Sequence, residues 1–117
     1  MLRHCSRFMD LYLGRIAVPG WARMVSRLIG PLFLRSFLTK PIGATPRNIG
    51  TMPAIKSRPE VVLDFEAERA RFLDRLTEVE ALDGVIQHAM YGAMKADDAK
   101  ALVRDHTTHH FHQFGLV

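Results

Sequence analysis

Four of the six histidines in this sequence lie close together near its end, from His106 to His112. Helical spacing places His106 and His110 one turn apart, on the apolar face that Leu102 and Val103 begin. Two imidazoles in that arrangement can bind one transition-metal ion through their ring nitrogens. The pattern therefore predicts a metal site on the last helix. The alternative is a pair of core histidines that are only hydrogen-bonded.

A metal ion held by this pair needs a third ligand from elsewhere in the chain. The candidates by residue type are His4, His88, Cys5 and the acidic side chains. His109 lies at the edge of the same helical face, so it remains an alternative to one member of the pair, whereas His112 points away. The segment lacks the glutamate that follows the first histidine of a zinc metalloprotease helix, so that class is not indicated.

Apolar periodicity predicts that the first and last segments of the chain are long helices. Residues 2–16 have a wide apolar arc that includes Cys5, with His4 on its flank. Residues 96–114 form the helix with the clustered histidines, which stops at Gly115. Cys5 is expected to be a small buried residue rather than a reactive thiol.

The middle of the chain is predicted to hold a third long helix. The capping-box spacing at 57–60 begins it, and Gly84 ends it. Its predicted buried stripe consists of Val62, Phe65, Phe72, Leu73, Leu76 and Val79. Residues 21–29 are predicted as a short helix, and residues 88–94 as a connection.

The remaining segments predict the fold class. Residues 32–38 are helical or extended, and the proline- and glycine-rich segment 39–59 is a long loop. No segment has convincing strand character. The expected fold class is therefore all-α, with the helices arranged as a bundle in one domain.

Composition indicates one globular domain with an uneven distribution of charge. The chain has 117 residues, of which 48% are apolar, and one cysteine, so an internal disulfide framework is excluded. Residues 1–60 hold ten Lys or Arg and two acidic residues, whereas residues 61–117 hold six and ten. Because the basic residues are spread singly, we interpret them as solvated faces and expect neither nucleic acid nor a membrane as partner.

Three segments of the chain match a known pattern. They are the ending His-Thr-Thr-His-His-Phe-His-Gln-Phe-Gly at 106–115, His-Ala-Met-Tyr-Gly at 88–92, and the opening Leu-Arg-His-Cys at 2–5. Together they resemble a branch of the DinB-like metalloprotein superfamily that is a domain of unknown function, whose last helix ends in His-x-x-His-His-x-x-Gln-Phe. The resemblance extends over essentially the whole chain and is loose in 17–60.

The resemblance implies a four-helix bundle with three histidines around one divalent metal ion, Zn²⁺ or Ni²⁺. Carried over position by position, the ligands fall on His4, His106 and His110. Three nitrogen ligands leave coordination positions open, which is typical of a catalytic metal. The relatives imply a metal-dependent transferase or hydrolase of the bacterial cytoplasm. A thiol-dependent transferase, with a low-molecular-weight thiol beside its small-molecule substrate, is the form that they favour.

The chain also departs from the pattern of that branch. The family has a complete helix before the one with the first histidine, so the DinB-like domain at 1–117 is expected to be incomplete at its N-terminus. A homodimer would cover the gap. Lys95 stands where the branch has a capping Thr, and Ala99 where it has Trp. The alternative expectation is a degenerate, non-catalytic helical assembly or binding protein.

Overall fold

The computed structural model describes residues 1–41, 44–45, 50–58 and 62–117. Within these residues four helices and one antiparallel pair of strands follow one another as α1 (Leu2–Tyr12), α2 (Gly20–Thr39), α3 (Phe65–Glu80), β1 (Val85–His88), β2 (Gly92–Lys95) and α4 (Ala96–Gln113). The fold is mostly helical, as the sequence predicts. The expectation that no strand is present is wrong.

Helix α1 packs along α3 and also contacts α4 and β1. Cys5, which the sequence places on an apolar arc, is buried, and so are Met9 and Tyr12. Ser6 is buried as well, and its hydroxyl donates a hydrogen bond of 3.0 Å to the carbonyl oxygen of Leu2. Because neighbours cover α1 on more than one side, its buried arc includes a polar residue whose hydrogen bond is made within the helix.

Charged side chains join the far end of α1 to α3. Nε of Arg75 is 2.6 Å from a carboxylate oxygen of Asp10, and Nη1 of Arg75 is 2.9 Å from a carboxylate oxygen of Glu78. Arg15, just beyond α1, pairs with the same Glu78. These contacts add polar links to the packing of α1 on α3. The helix itself ends at Tyr12, short of the predicted end at residue 16.

Helix α2 is longer than the sequence predicts. It begins after Pro19 and continues through Gly30 and Pro31, so the two predicted short segments are one helix. Gly30 is buried, and a Cβ atom there would lie 3.1 Å from the carbonyl oxygen of Met90. The missing side chain therefore lets α2 approach the turn between β1 and β2. None of the helices in the described parts of the chain is long and apolar enough to cross a membrane.

Helix α3 begins later than the capping-box spacing predicts. Its N-cap is Asp64, whose carboxylate accepts a hydrogen bond of 3.0 Å from the backbone N–H of Ala67. Ser57 and Arg58 lie outside any helix, and positions 59–60 of the predicted box lie outside the described residues. The helix therefore starts where an aspartate can cap it.

Only part of the predicted buried stripe of α3 is buried. Phe72 and Val79 belong to the core, and Leu76 packs against it. The exposed members are Val62, Phe65 and Leu73. The prediction is wrong for these three, because the described neighbours of α3 cover only one side of it.

Strands β1 and β2 form a hairpin in the segment that was expected to be a connection. His88 pairs with Gly92, and Gly92 has a φ of 74°, a left-handed conformation that favours glycine. Nδ1 of the buried His88 accepts hydrogen bonds from the backbone N–H groups of Met90 and Tyr91, over 3.1 and 3.2 Å. Because Nδ1 is an acceptor here, the neutral ring carries its proton on Nε2.

Protonation of His88 should destabilise this hairpin at low pH. Burial lowers the pKa of His88 from 6.5 to about 4. The unfolded chain thus binds the proton more readily, so the stability that the neutral ring contributes is present above the unfolded pKa and is lost as the pH falls toward the folded one. His88→Asn keeps an acceptor near the Nδ1 position but cannot titrate. We expect its urea midpoint to fall less steeply over this pH range than that of the unchanged protein.

The matched control is His112→Asn, because His112 is exposed on α4. Its urea midpoints should follow those of the unchanged protein at every pH. An equally steep fall in His88→Asn would contradict the role assigned to the His88 ring.

Candidate metal centre

Helices α1 and α4 bring three imidazoles to one point. His4, His106 and His110 each offer one ring nitrogen, and these nitrogens all lie within 4.8 Å of one another. The Nε2 atoms of His4 and His106 are 3.1 Å apart. Nitrogens bound to one tetrahedral metal ion, with bonds of about 2.0–2.1 Å, stand about 3.3 Å apart. The three side chains therefore lie close enough to bind one metal ion.

Hydrogen bonds on Nδ1 set the tautomers of two of the rings. Nδ1 of His4 is 3.0 Å from the carbonyl oxygen of Ile55, and Nδ1 of His110 is 2.7 Å from Oε1 of Gln113. Both oxygens can only accept, so each Nδ1 donates its hydrogen and each neutral ring keeps a lone pair on Nε2. Metal-binding histidines typically have an outer hydrogen bond of this kind.

The environment keeps two of the imidazoles uncharged. Burial, followed by the neighbouring His110, His4 and His109, lowers the pKa of His106 to about 3. Burial also lowers the pKa of His110, with His4 acting in the same direction and the hydrogen bond to Gln113 opposing it. His106 and His110 are therefore neutral at pH 7, and the neutral imidazole is the form that binds metals.

Local sequence explains why α4 presents the histidine pair inward. Asp97 and Asp98 occupy its first turn, where carboxylates stabilise the positive end of the helix dipole. Lys95 is the N-cap residue and makes no side-chain capping hydrogen bond. Leu102 and Val103 are buried and anchor the middle of the helix. The same face carries the histidine pair one and two turns later.

The three histidines line a cavity of about 560 Å³. Phe33 and Phe37 of α2 belong to its wall, and Phe8 of α1 stacks on His106 with ring centroids 3.7 Å apart. Asp105 also lines the cavity, and its buried Oδ1 atom has no hydrogen-bond partner among the described residues. A mainly apolar cavity with a few polar groups at one place is typical of a small-molecule site.

The other candidate ligands do not belong to the group of three whose ring nitrogens converge in the described part of the chain. His88 is in the hairpin with its Nδ1 already engaged, and Cys5 is buried in the core. His109 lines the cavity, with its ring centroid 5.3 Å from that of His110, but it is not one of the three converging side chains. His112 is exposed. The three histidines that the resemblance implies as ligands are the ones that the fold brings together, and metal binding by them stays a prediction.

Sequence reasoning missed the groups that orient the rings. Gln113 lies three residues after His110, so helical spacing offered a signal for that contact. The carbonyl oxygen of Ile55 comes from a loop 51 residues away from His4, and no local pattern points to it. Phe8 follows His4 by one helical turn, but no pattern in the sequence predicted that it stacks on His106.

The fold and the cluster define a mostly helical protein with a three-histidine candidate metal centre. The chain matches, over residues 1–115, the model of a family described as protein of unknown function (DUF1569), and it belongs to that family. Comparison with curated proteins and with solved structures gives no match. The family description names no reaction.

Cys5 should be unreactive in the folded protein. Burial raises the pKa of the Cys5 thiol to about 11, although the N-terminal ammonium acts in the opposite direction. Because the thiolate is the reactive form, alkylation by iodoacetamide near pH 8 should be at least about 100-fold slower than in the unfolded chain. Mass spectrometry over time measures this, with the guanidinium-unfolded protein as control. Similar rates in the two states would contradict the burial of Cys5.

Proposed function

We propose that this protein binds a divalent metal ion through His4, His106 and His110 and that it is a metal-dependent enzyme. The observation that supports the proposal is the convergence of three ring nitrogens within 4.8 Å beside a cavity. Zn²⁺ and Ni²⁺ both suit imidazole ligands. Three protein ligands would leave coordination positions open for a substrate.

We also propose that this family is a branch of the DinB-like superfamily and that the helices correspond to its bundle. The support is that the histidines assigned by the motifs at 2–5 and 106–115 are the ones whose ring nitrogens converge. The reaction class that follows is transfer involving a low-molecular-weight thiol. The other class consistent with such a centre is hydrolysis.

The donor set and its surroundings fit the proposed ion. When bound, a divalent metal ion supplies Lewis acidity and favours the thiolate form of a thiol. The chain itself would hold and shield the site: Phe8 covers one face of His106, and Phe33 and Phe37 add apolar side chains to the wall of the cavity. Asp105 offers an unpartnered carboxylate oxygen that can accept a hydrogen bond from a ligand in the cavity.

Removal of one proposed ligand should abolish tight metal binding. We expect the tag-free protein to bind one equivalent of Zn²⁺ or Ni²⁺ and to melt at a higher temperature when it is loaded. His106→Ala and His110→Ala should each weaken binding by more than about 100-fold, because two imidazoles hold a metal ion far less tightly than three. Isothermal titration calorimetry and elemental analysis measure the affinity and the stoichiometry.

His112→Ala is the matched control, since His112 is an exposed histidine of the same helix. It should bind metal like the unchanged protein. Absence of metal in the unchanged protein, with no rise in melting temperature when metal is added, would reject the proposal.

Absence of metal binding would favour the alternative function, a non-catalytic helical assembly or binding protein. A groove at the start of α3 and the end of α4 supports this alternative, because it has exposed apolar side chains. They are Phe65, Leu73, Phe114 and Leu116. Such a protein would self-associate or capture a helix, and a strictly monomeric state in light scattering would count against self-association.

Gln113 should tune the affinity of the site. Its Oε1 atom accepts the hydrogen bond from Nδ1 of His110 and so orients that ring. Loss of such an outer partner typically weakens metal binding by about 10–100-fold, and we expect Gln113→Ala to fall in that range. Gln87→Ala, at an exposed position of β1, is the control and should leave the affinity unchanged. Equal affinities of the two variants in a competition titration with a metal chelator would refute this role.

A further inference from the structure

Helix α2 exposes a stripe of large apolar side chains along its outer side. The exposed fractions are 72% for Trp21, 66% for Met24, 79% for Leu28 and 73% for Leu32. These four positions recur at helical spacing, so they follow one line along the helix. The opposite side of α2 lines the cavity. A contiguous exposed apolar patch of this kind is typical of a surface that binds another protein or a membrane.

The same helix carries positive charge without any negative charge. Arg23, Arg27 and Arg35 are exposed, and no acidic residue occurs in the sequence between Asp10 and Glu60. None of the ion pairs within the described parts of the chain includes a residue of α2. The guanidinium groups are therefore available to an anionic partner. The even spread of basic residues in the sequence, which argued against such a partner, becomes a row on one exposed helix.

We propose that the outer side of α2 binds the surface of an anionic phospholipid bilayer. Trp21, Leu28 and Leu32 enter the interface between headgroups and acyl chains, and the arginines contact the lipid phosphates. Arg27 and Arg35 each lie about one helical turn after a member of the stripe, and the long apolar stem of an arginine beside the stripe lets its guanidinium reach the headgroups. The contact is peripheral and leaves the cavity side of α2 in place.

The positive charge of α2 favours an anionic bilayer over a second copy of the chain as the partner of the stripe. Two α2 helices packed through the same stripe would bring the arginines of both copies together, with no carboxylate on α2 to pair them. Nucleic acid would satisfy the arginines, but its phosphate backbone has no apolar layer for Met24, Leu28 and Leu32. A bilayer with acidic headgroups satisfies both features of the stripe. The proposal does not depend on the metal centre.

Trp21 makes the proposal directly testable, because it is the only tryptophan in the sequence and lies in the stripe. We expect its emission to shift to shorter wavelength with vesicles of equal parts phosphatidylcholine and phosphatidylglycerol, and the protein to co-sediment with them. Phosphatidylcholine vesicles should bind far less. Raising the salt concentration should release the protein from the anionic vesicles, since screening weakens contacts between arginine and phosphate.

Variants on α2 separate the contribution of the arginines from that of the apolar side chains. Arg27→Gln combined with Arg35→Gln should lower the partition coefficient on anionic vesicles by about 25-fold, and Leu28→Gln by about tenfold. The matched controls are Arg71→Gln combined with Arg104→Gln, and Val85→Gln, at exposed positions away from α2. These should partition like the unchanged protein. Circular dichroism checks that each variant is folded.

Three results would overturn the proposal. The first is no spectral shift and no co-sedimentation of the unchanged protein, which needs no variant to interpret. The second is a concentration-dependent dimer in light scattering whose Trp21 is shielded without lipid, which assigns the stripe to a second copy. The third is displacement of the protein from anionic vesicles by an equal mass of single-stranded DNA, together with unchanged binding of Leu28→Gln to both the vesicles and the DNA. That result would assign the arginines to nucleic acid.

Discussion

The contact between His4 of α1 and His106 of α4 is the interaction on which the site depends. Their Nε2 atoms are 3.1 Å apart, and at that distance two protonated rings would repel each other strongly in a partly buried place. Burial is the main cause of the lowered pKa of His106, and the neighbouring His110 and His4 lower it further. The fold thus keeps the pair in a state that can share a hydrogen or a metal ion, and the packing of α1 on α3 and α4 holds it there.

Helix α2 connects the candidate site to the outer surface. One side of it contributes Phe33 and Phe37 to the cavity, and the other exposes Leu28 and Leu32 to solvent. Gly30 lets the helix lie against the turn of the hairpin, where a Cβ atom would stand only 3.1 Å from the carbonyl oxygen of Met90. A partner that binds the outer stripe would therefore act on an element that also forms a wall of the cavity.

Sequence patterns succeeded where one local rule governs an element. Apolar periodicity and the glycine at 115 predicted a helix over 96–114, and α4 spans Ala96–Gln113. They failed where a tertiary contact overrides the local rule. A proline at position 31 usually marks the end of a helix, but α2 continues through it. Gly30, the residue before it, packs against the turn between β1 and β2. The sequence did not predict the hairpin, because each strand has only four residues and is too short to show an alternation of apolar and polar side chains. The ring of His88 closes the turn through hydrogen bonds that no local pattern indicates.

By itself the sequence determined that His106 and His110 share a face, because the spacing of one turn is a property of any α-helix. It also selected His4, through the resemblance of short motifs. Only the tertiary structure decided that His4 lies beside His106, 102 residues away, and that Ile55 and Gln113 orient the rings. The cavity that the three histidines line is also a result of the tertiary structure alone. Helical periodicity describes one element at a time, whereas these contacts depend on how separate elements pack together.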